Sequence, residues 1–150
     1  MDTSLNGWGA IMAVFLQWNS EYELGVPAMD ADHRDLMEMC NHFLTLVESQ
    51  SSPTLLADSL DRLILRTRAH FLAEERMLDR HGYPALVVHK AEHERLIREA
   101  ESLSGGLRTD DGERDLPTII AETSDFLKSW LLEHIRNNDR PYKPFLRSLN

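Results

Sequence analysis

Apolar residues recur along this chain at intervals of three and four, in four stretches separated by polar breaks. The first stripe runs His33, Leu36, Met37, Cys40, Phe43, Leu44 and Val47. The second runs Leu56, Leu60, Leu63, Thr67, His70, Glu74, Met77 and Leu78. The third is Leu86, His89, His93, Leu96, Ile97 and Ala100, and the fourth Ile119, Thr123, Phe126, Leu127, Trp130, Leu131 and His134. This spacing marks one face of an α-helix, and strand alternation is absent. The breaks carry turn chemistry. Ser52 and Pro53 suit the cap and first position of a helix. Gly82 in "HGYP" suits a left-handed helix end. Ser104 to Asp115 reads as a polar loop, and Pro141 and Pro144 oppose any long helix beyond Arg140. Four amphipathic helices with mostly short links predict an all-α, up-down-up-down four-helix bundle. It would occupy about residues 18–146, with an N-terminal arm over 1–17 and a short C-terminal segment.

Length and composition narrow the classes. The 150 residues suit one domain with a single core. The formal net charge of −9 repels phosphate backbones, which argues against nucleic acid as a partner. No apolar run is long enough to span a bilayer. The opening "MDTSLNGWGAIMAVFLQW" has no basic region ahead of its apolar patch and no clear cleavage site, so it reads as an arm and not a signal peptide. The single cysteine, Cys40, excludes an intrachain disulfide and fits a cytoplasmic location.

The chemistry lies on the apolar stripes. A carboxylate in an apolar core must be paired, protonated or bound to metal. His70 and Glu74 are four apart and project together, as do His89 and His93. His33 and His134 add an imidazole from the first and fourth helices. Any one of these histidines could be an ordinary buried side chain, and His70 with Glu74 could be a buried hydrogen-bonded pair. An unusually polar core on all four helices at once is better explained by metal. Imidazole suits iron, zinc, copper and nickel, and five imidazoles exceed what one ion with an open position can use. Two metals bridged by carboxylate is the economical reading.

Other groups fall outside this set. His42 lies roughly 180° around the helix from His33 and should face solvent. His81 is about 16 Å along the axis from His70 and fits a helix C-terminus. Cys40 reads as a small buried hydrophobe. Glu75, about 100° off the stripe, suits a supporting role or solvent.

The ordered motifs "DADH", "HFLAEE", "GYP" followed by "HKAEH", and "HIRNND" resemble those of the hemerythrin family, in particular its single-domain bacterial members. The lead "ELGVPAMDADH" after Trp18 adds to the likeness, which covers roughly residues 16–146. The resemblance implies a four-helix bundle holding two non-haem irons that bind O2 reversibly. It assigns His89, His93 and His134 to one iron, His33 and His70 to the other, and Glu74, Asp139 and an oxo or hydroxo group as bridges. Counting these ligands against about twelve octahedral positions leaves one place, for O2, on the two-histidine iron. Trp130, Leu131, Leu36, Met37 and Phe71 would line a dry O2 pocket. Leu96 departs from the aromatic residue found there in many relatives. The implied function is O2 storage, delivery or buffering and not enzymatic turnover. The alternatives are a sensor of O2, iron or redox state, a di-iron enzyme acting on peroxide or NO, and a bundle without functional metal.

One spacing resists a regular helix. His134 and Asp139 are five apart, and at roughly 100° per residue an α-helix would point them in different directions. If both reach one centre, either a π-type turn widens the helix there or the helix ends and Asp139 swings in from its unwinding end.

Overall fold

The structure, a computed structural model, describes residues 15–109 and 115–149. Among these residues it is all-helical, with no strand. Four long helices dominate: α1 (Pro27–Glu48), α2 (Pro53–Arg80), α3 (Leu86–Arg108) and α4 (Leu116–His134). A π-helical segment, Ile135–Asp139, follows α4, and a short helix α5 (Tyr142–Ser148) ends the described chain. Helix α1 packs on α2, α2 on α3, α3 on α4, and α4 closes back on α1, which is consistent with a four-helix bundle.

The ends of the helices follow from local chemistry. Ser52 accepts a hydrogen bond from the Leu55 amide at 3.2 Å and caps α2. Asp115 does the same for α4 through the Thr118 amide at 2.9 Å. Gly82, at φ +69°, closes α2 in the left-handed conformation that L side chains disfavour. Ahead of α1, the Asp30 carboxylate takes the amides of Leu24 and Gly25 at 2.8 and 3.2 Å. Of the expected arm, residues 1–14 lie outside the described residues. Leu16 is buried, and its backbone exchanges two 2.9 Å hydrogen bonds with the Asn41 side chain.

The expected loop over Ser104–Asp115 begins too early. Helix α3 continues to Arg108 because the apolar face does not end at Ala100: Leu103 and Leu107 are buried one and two turns further on. Ser104 donates to Asp61 at 2.5 Å, and Arg108 pairs with Asp58 and Asp61, tying this end to α2. Gly105 and Gly106, inside the expected loop, are helical. A Cβ on Gly106 would meet Ile119 Cγ2 at 3.3 Å, so that glycine lets α3 approach α4 closely.

Residues of all four stripes are buried, with Val47, Leu86 and Phe126 half-buried at the margins. No helix among the described residues is long and apolar enough to cross a membrane.

Candidate metal centre

His33 lies near the start of α1, His70 and Glu74 near the end of α2, His89 and His93 near the start of α3, and His134 at the end of α4. Asp139 is the last residue of the π segment. All seven are buried, His33, Glu74 and Asp139 completely. Of the two backbone routes open for Asp139, the first is realised. The Arg140 amide bonds the Ile135 carbonyl at 2.7 Å, five residues back, and the wide turn brings Asp139 Oδ1 within 3.1 Å of His134 Nε2.

Two sets of donors adjoin. In the first, one ligand atom each from Glu74, His89, His93, His134 and Asp139 lies within 4.8 Å of every other. In the second, His33, His70 and Glu74 do so. The carboxylates span both. Glu74 Oε1 is 2.6 Å from His89 Nε2 and 3.2 Å from His93 Nε2, while Oε2 is 3.5 Å from His70 Nε2 and 3.8 Å from His33 Nε2. Asp139 Oδ1 faces His89 and His134 at 3.1 Å, and Oδ2 faces His33 at 3.2 Å.

These atoms are arranged as ligands more than as hydrogen-bond partners. The Nε2 atoms of His33 and His70 are 3.0 Å apart, and those of His93 and His134 are 3.2 Å apart. Two inward nitrogens at that distance can share at most one proton, whereas both lone pairs can serve a cation. Neither oxygen of Asp139 makes a hydrogen bond of good geometry despite complete burial. Buried polar atoms of this kind, N and O in mixture, fit iron or zinc.

Without a cation the charges settle among themselves. Burial and mutual repulsion push the Glu74 carboxyl upward, but hydrogen bonds from His70, His89 and His93 hold it below the usual carboxylate range. Asp139 is likewise held low, burial being outweighed by His134, His33 and His89. Burial alone would depress His89, yet Asp139 and Glu74 raise it to about 10. Metal binding at this site must therefore displace protons from imidazole.

The supporting contacts join residues far apart in sequence. His70 Nδ1 meets Asp32 Oδ2 at 2.8 Å, and Arg66 holds the other Asp32 oxygen at 2.6 Å. His93 Nδ1 meets Glu75 Oε2 at 2.8 Å, which gives Glu75 its supporting role. His134 Nδ1 lies 3.1 Å from Asn138 Nδ2, and rotation of that amide would offer its oxygen to the ring N–H instead. Carboxylate partners on Nδ1 fix the tautomer that leaves Nε2 free to ligate. The buried Tyr142 hydroxyl donates to Glu74 Oε2 at 3.1 Å. Burial, then the charges of Glu74 and Asp139, push that phenol well above its ordinary range, so it stays a donor. Sequence reasoning misses Asp32, Asn138 and Tyr142. Asp32 stands inside "DADH", and Asn138 is four residues past His134, a spacing that could have flagged it.

All five expected pocket residues are buried. Phe71 is nearest the imidazoles, stacked on His93 with ring centroids 3.6 Å apart and 5.5 Å from the His134 ring. Trp130 meets Phe71 edge to face at 6.2 Å. Leu36 and Leu131 stand one helical turn from His33 and His134, and Met37 beside Leu36. Leu96 and Trp130 share an apolar cavity of about 10 Å³ with Thr67. His42 and His81 are exposed and outside the centre, and His81 Nδ1 bonds the Met77 carbonyl at 2.8 Å. Cys40 is fully buried, and burial pushes its thiol up to about 12.

A family model described as the hemerythrin HHE cation-binding domain matches residues 24–146. The chain is 33% identical over 132 residues to a bacteriohemerythrin of Clostridium acetobutylicum, covering 83% of this chain and 96% of that one. It is 31% identical over 127 residues to a bacteriohemerythrin of Stenotrophomonas maltophilia, covering 85% and 78%. Among solved structures, a hemerythrin with one leucine-to-alanine substitution superposes with a TM-score of 0.73 at 25% identity, covering 86% of this chain and 95% of that one.

Proposed function

The chain belongs to the hemerythrin family, and from that premise we propose that it binds O2 reversibly at two non-haem irons, for storage, delivery or buffering. His89, His93 and His134 would hold one iron and His33 and His70 the other, with Glu74 and Asp139 as bridges. The observation that carries this reading is the division of each carboxylate: one oxygen of Glu74 and of Asp139 faces the first imidazole set, and the other oxygen faces the second. An iron pair, when bound, supplies the two electrons that O2 binding borrows and O2 release returns.

The protein's own part is to bind, orient and keep dry. Five neutral imidazoles add no charge, so the centre is less anionic than a carboxylate-rich one and less suited to high-valent oxidation chemistry. Asp32 and Glu75 hold His70 and His93 in the ligating tautomer. Phe71, Trp130, Leu36, Met37 and Leu131 present apolar surface and exclude the water that would favour irreversible oxidation. Ligands from the starts of α1 and α3 and the ends of α2 and α4 meet at one level, which supports an up-down-up-down course for the helices.

The test is optical. Iron-loaded protein is reduced without air, O2 is admitted, and the visible spectrum is followed through cycles of vacuum and O2. A band that appears with O2 and disappears under vacuum supports the proposal. Immediate oxidation that vacuum does not reverse defeats it, and sustained turnover of peroxide or NO that His70→Ala abolishes would point to an enzyme.

A further inference from the structure

The two halves of the centre are unequal. The first set offers five protein groups with mutually close ligand atoms and the second three, Glu74 being common to both. Both carboxylates approach the first set closely, with oxygens 2.6 to 3.2 Å from its imidazole nitrogens. Toward the second set Asp139 Oδ2 lies 3.2 Å from His33, but Glu74 presents Oε2 only at 3.5 and 3.8 Å, and that oxygen already accepts the Tyr142 hydroxyl. A proton donor on a carboxylate oxygen withdraws the electron density a cation would use.

His33 adds a second handicap. Its Nδ1 is buried with no hydrogen-bond partner, whereas His70 and His93 each have a carboxylate there. To ligate through Nε2, the neutral ring must carry its proton on Nδ1, where nothing accepts it. Without metal that proton can sit on Nε2, 3.2 Å from Asp139 Oδ2. Leaving a buried donor unsatisfied is a penalty that only the second half meets, worth about tenfold or more in affinity.

We propose that the centre fills in order, a tight ion at His89, His93 and His134 and then a weaker one at His33 and His70, so that the pair is complete only above a threshold of metal supply. This rests on the reading of the centre as a two-metal O2 site, and it makes O2 binding answer to iron availability as well as to O2. At limiting supply the chain holds one ion and the pair is missing its second member. Tyr142 acts as a positioning residue that sets the gap between the two steps.

The experiment needs neither iron nor O2. Metal-free protein labelled at its histidine nitrogens is titrated with Zn(II) alone and followed by NMR and native mass spectrometry. At one equivalent the one-metal species should dominate, with the His89, His93 and His134 signals shifted and those of His33 and His70 unmoved. The second equivalent should shift His33 and His70, with affinity lower by about tenfold or more. Uptake that passes from zero to two ions with all five signals moving together, His33 and His70 shifting first, or no Zn(II) uptake would each overturn the proposal. In Tyr142→Phe the gap should narrow through tighter binding of the second ion, and an unchanged gap refutes the tyrosine's part. Stepwise Zn(II) filling in a protein that fails the O2 test would leave this inference standing while the O2 reading falls.

Discussion

Asp32 offers a direct test of how the second set of ligands is held. Its carboxylate takes two donors, His70 Nδ1 at 2.8 Å on Oδ2 and Arg66 at 2.6 Å on Oδ1. Asp32→Asn keeps the shape but leaves one oxygen for two donors, so either His70 or Arg66 faces an NH2 group. If His70 loses its acceptor, its ring is free to turn and its tautomer is no longer fixed. Removing such an outer partner weakens metal binding by about 10- to 100-fold, or roughly 1.4 to 2.7 kcal/mol. The loss should fall on the second metal equivalent and spare the first, because Asp32 contacts no ligand of the first set. Competition against a chelator of known affinity measures both steps. Asp35→Asn is the control: Asp35 meets the same Arg66 at 3.4 Å but its side chain is 59% exposed, and it touches no histidine. A second-step affinity that stays within about twofold of the parent in Asp32→Asn would refute the reasoning.

Other expectations concern protons, packing and reactivity. In the metal-free protein His89 is raised to about 10, so its contribution to stability is complete below the unfolded histidine value of roughly 6.5 and is lost as pH rises through about 10. Urea midpoints of metal-free protein should fall across that window and those of metal-loaded protein should not; a flat metal-free profile would contradict the assigned protonation. A Cβ added at Gly105 would have no atom within 4 Å, so Gly105→Ala should stabilise α3 by about 0.5 to 1 kcal/mol. Gly106→Val, driven against Ile119, should destabilise by about 1 to 3 kcal/mol, and thermal melts that reverse the order of these two variants would undo the packing account. Cys40 should react with a thiol reagent only after unfolding, because it is buried and its thiol is pushed up to about 12; rapid labelling of native protein would be inconsistent with that burial.

The helices are legible in the sequence because their stripes repeat with the period of the structure, and the histidines are conspicuous because they interrupt those stripes. What escapes the sequence is pairing between elements. Tyr142 and Glu74 are 68 positions apart, and Asp32 and His70 are 38 apart, so no local spacing announces either contact. The end of α3 departs from expectation for a different reason. Gly105 and Gly106 carry a breaker signal, but burial of Leu103 and Leu107 and the pairing of Arg108 with α2 outweigh the propensity of two glycines. Residues His134 and Asp139 pose an angular mismatch that sequence can raise but not resolve, since a widened turn and an unwound end predict the same two ligands.

The widened turn at Ile135–Asp139 also acts on everything after it. One surplus residue in a helix is a slip of phase, about 100° of rotation that no later residue undoes. Asp139 and Tyr142, three apart, both reach the centre only because they sit downstream of that slip. The segment therefore works as a vernier between two helical scales, one set by α4 and one by α5. An insertion or deletion between Leu116 and His134 would turn His134, Asp139 and Tyr142 away as a block. The same change within Ile135–Asp139 would uncouple His134 from the other two, so the lengths of these neighbouring segments are constrained separately.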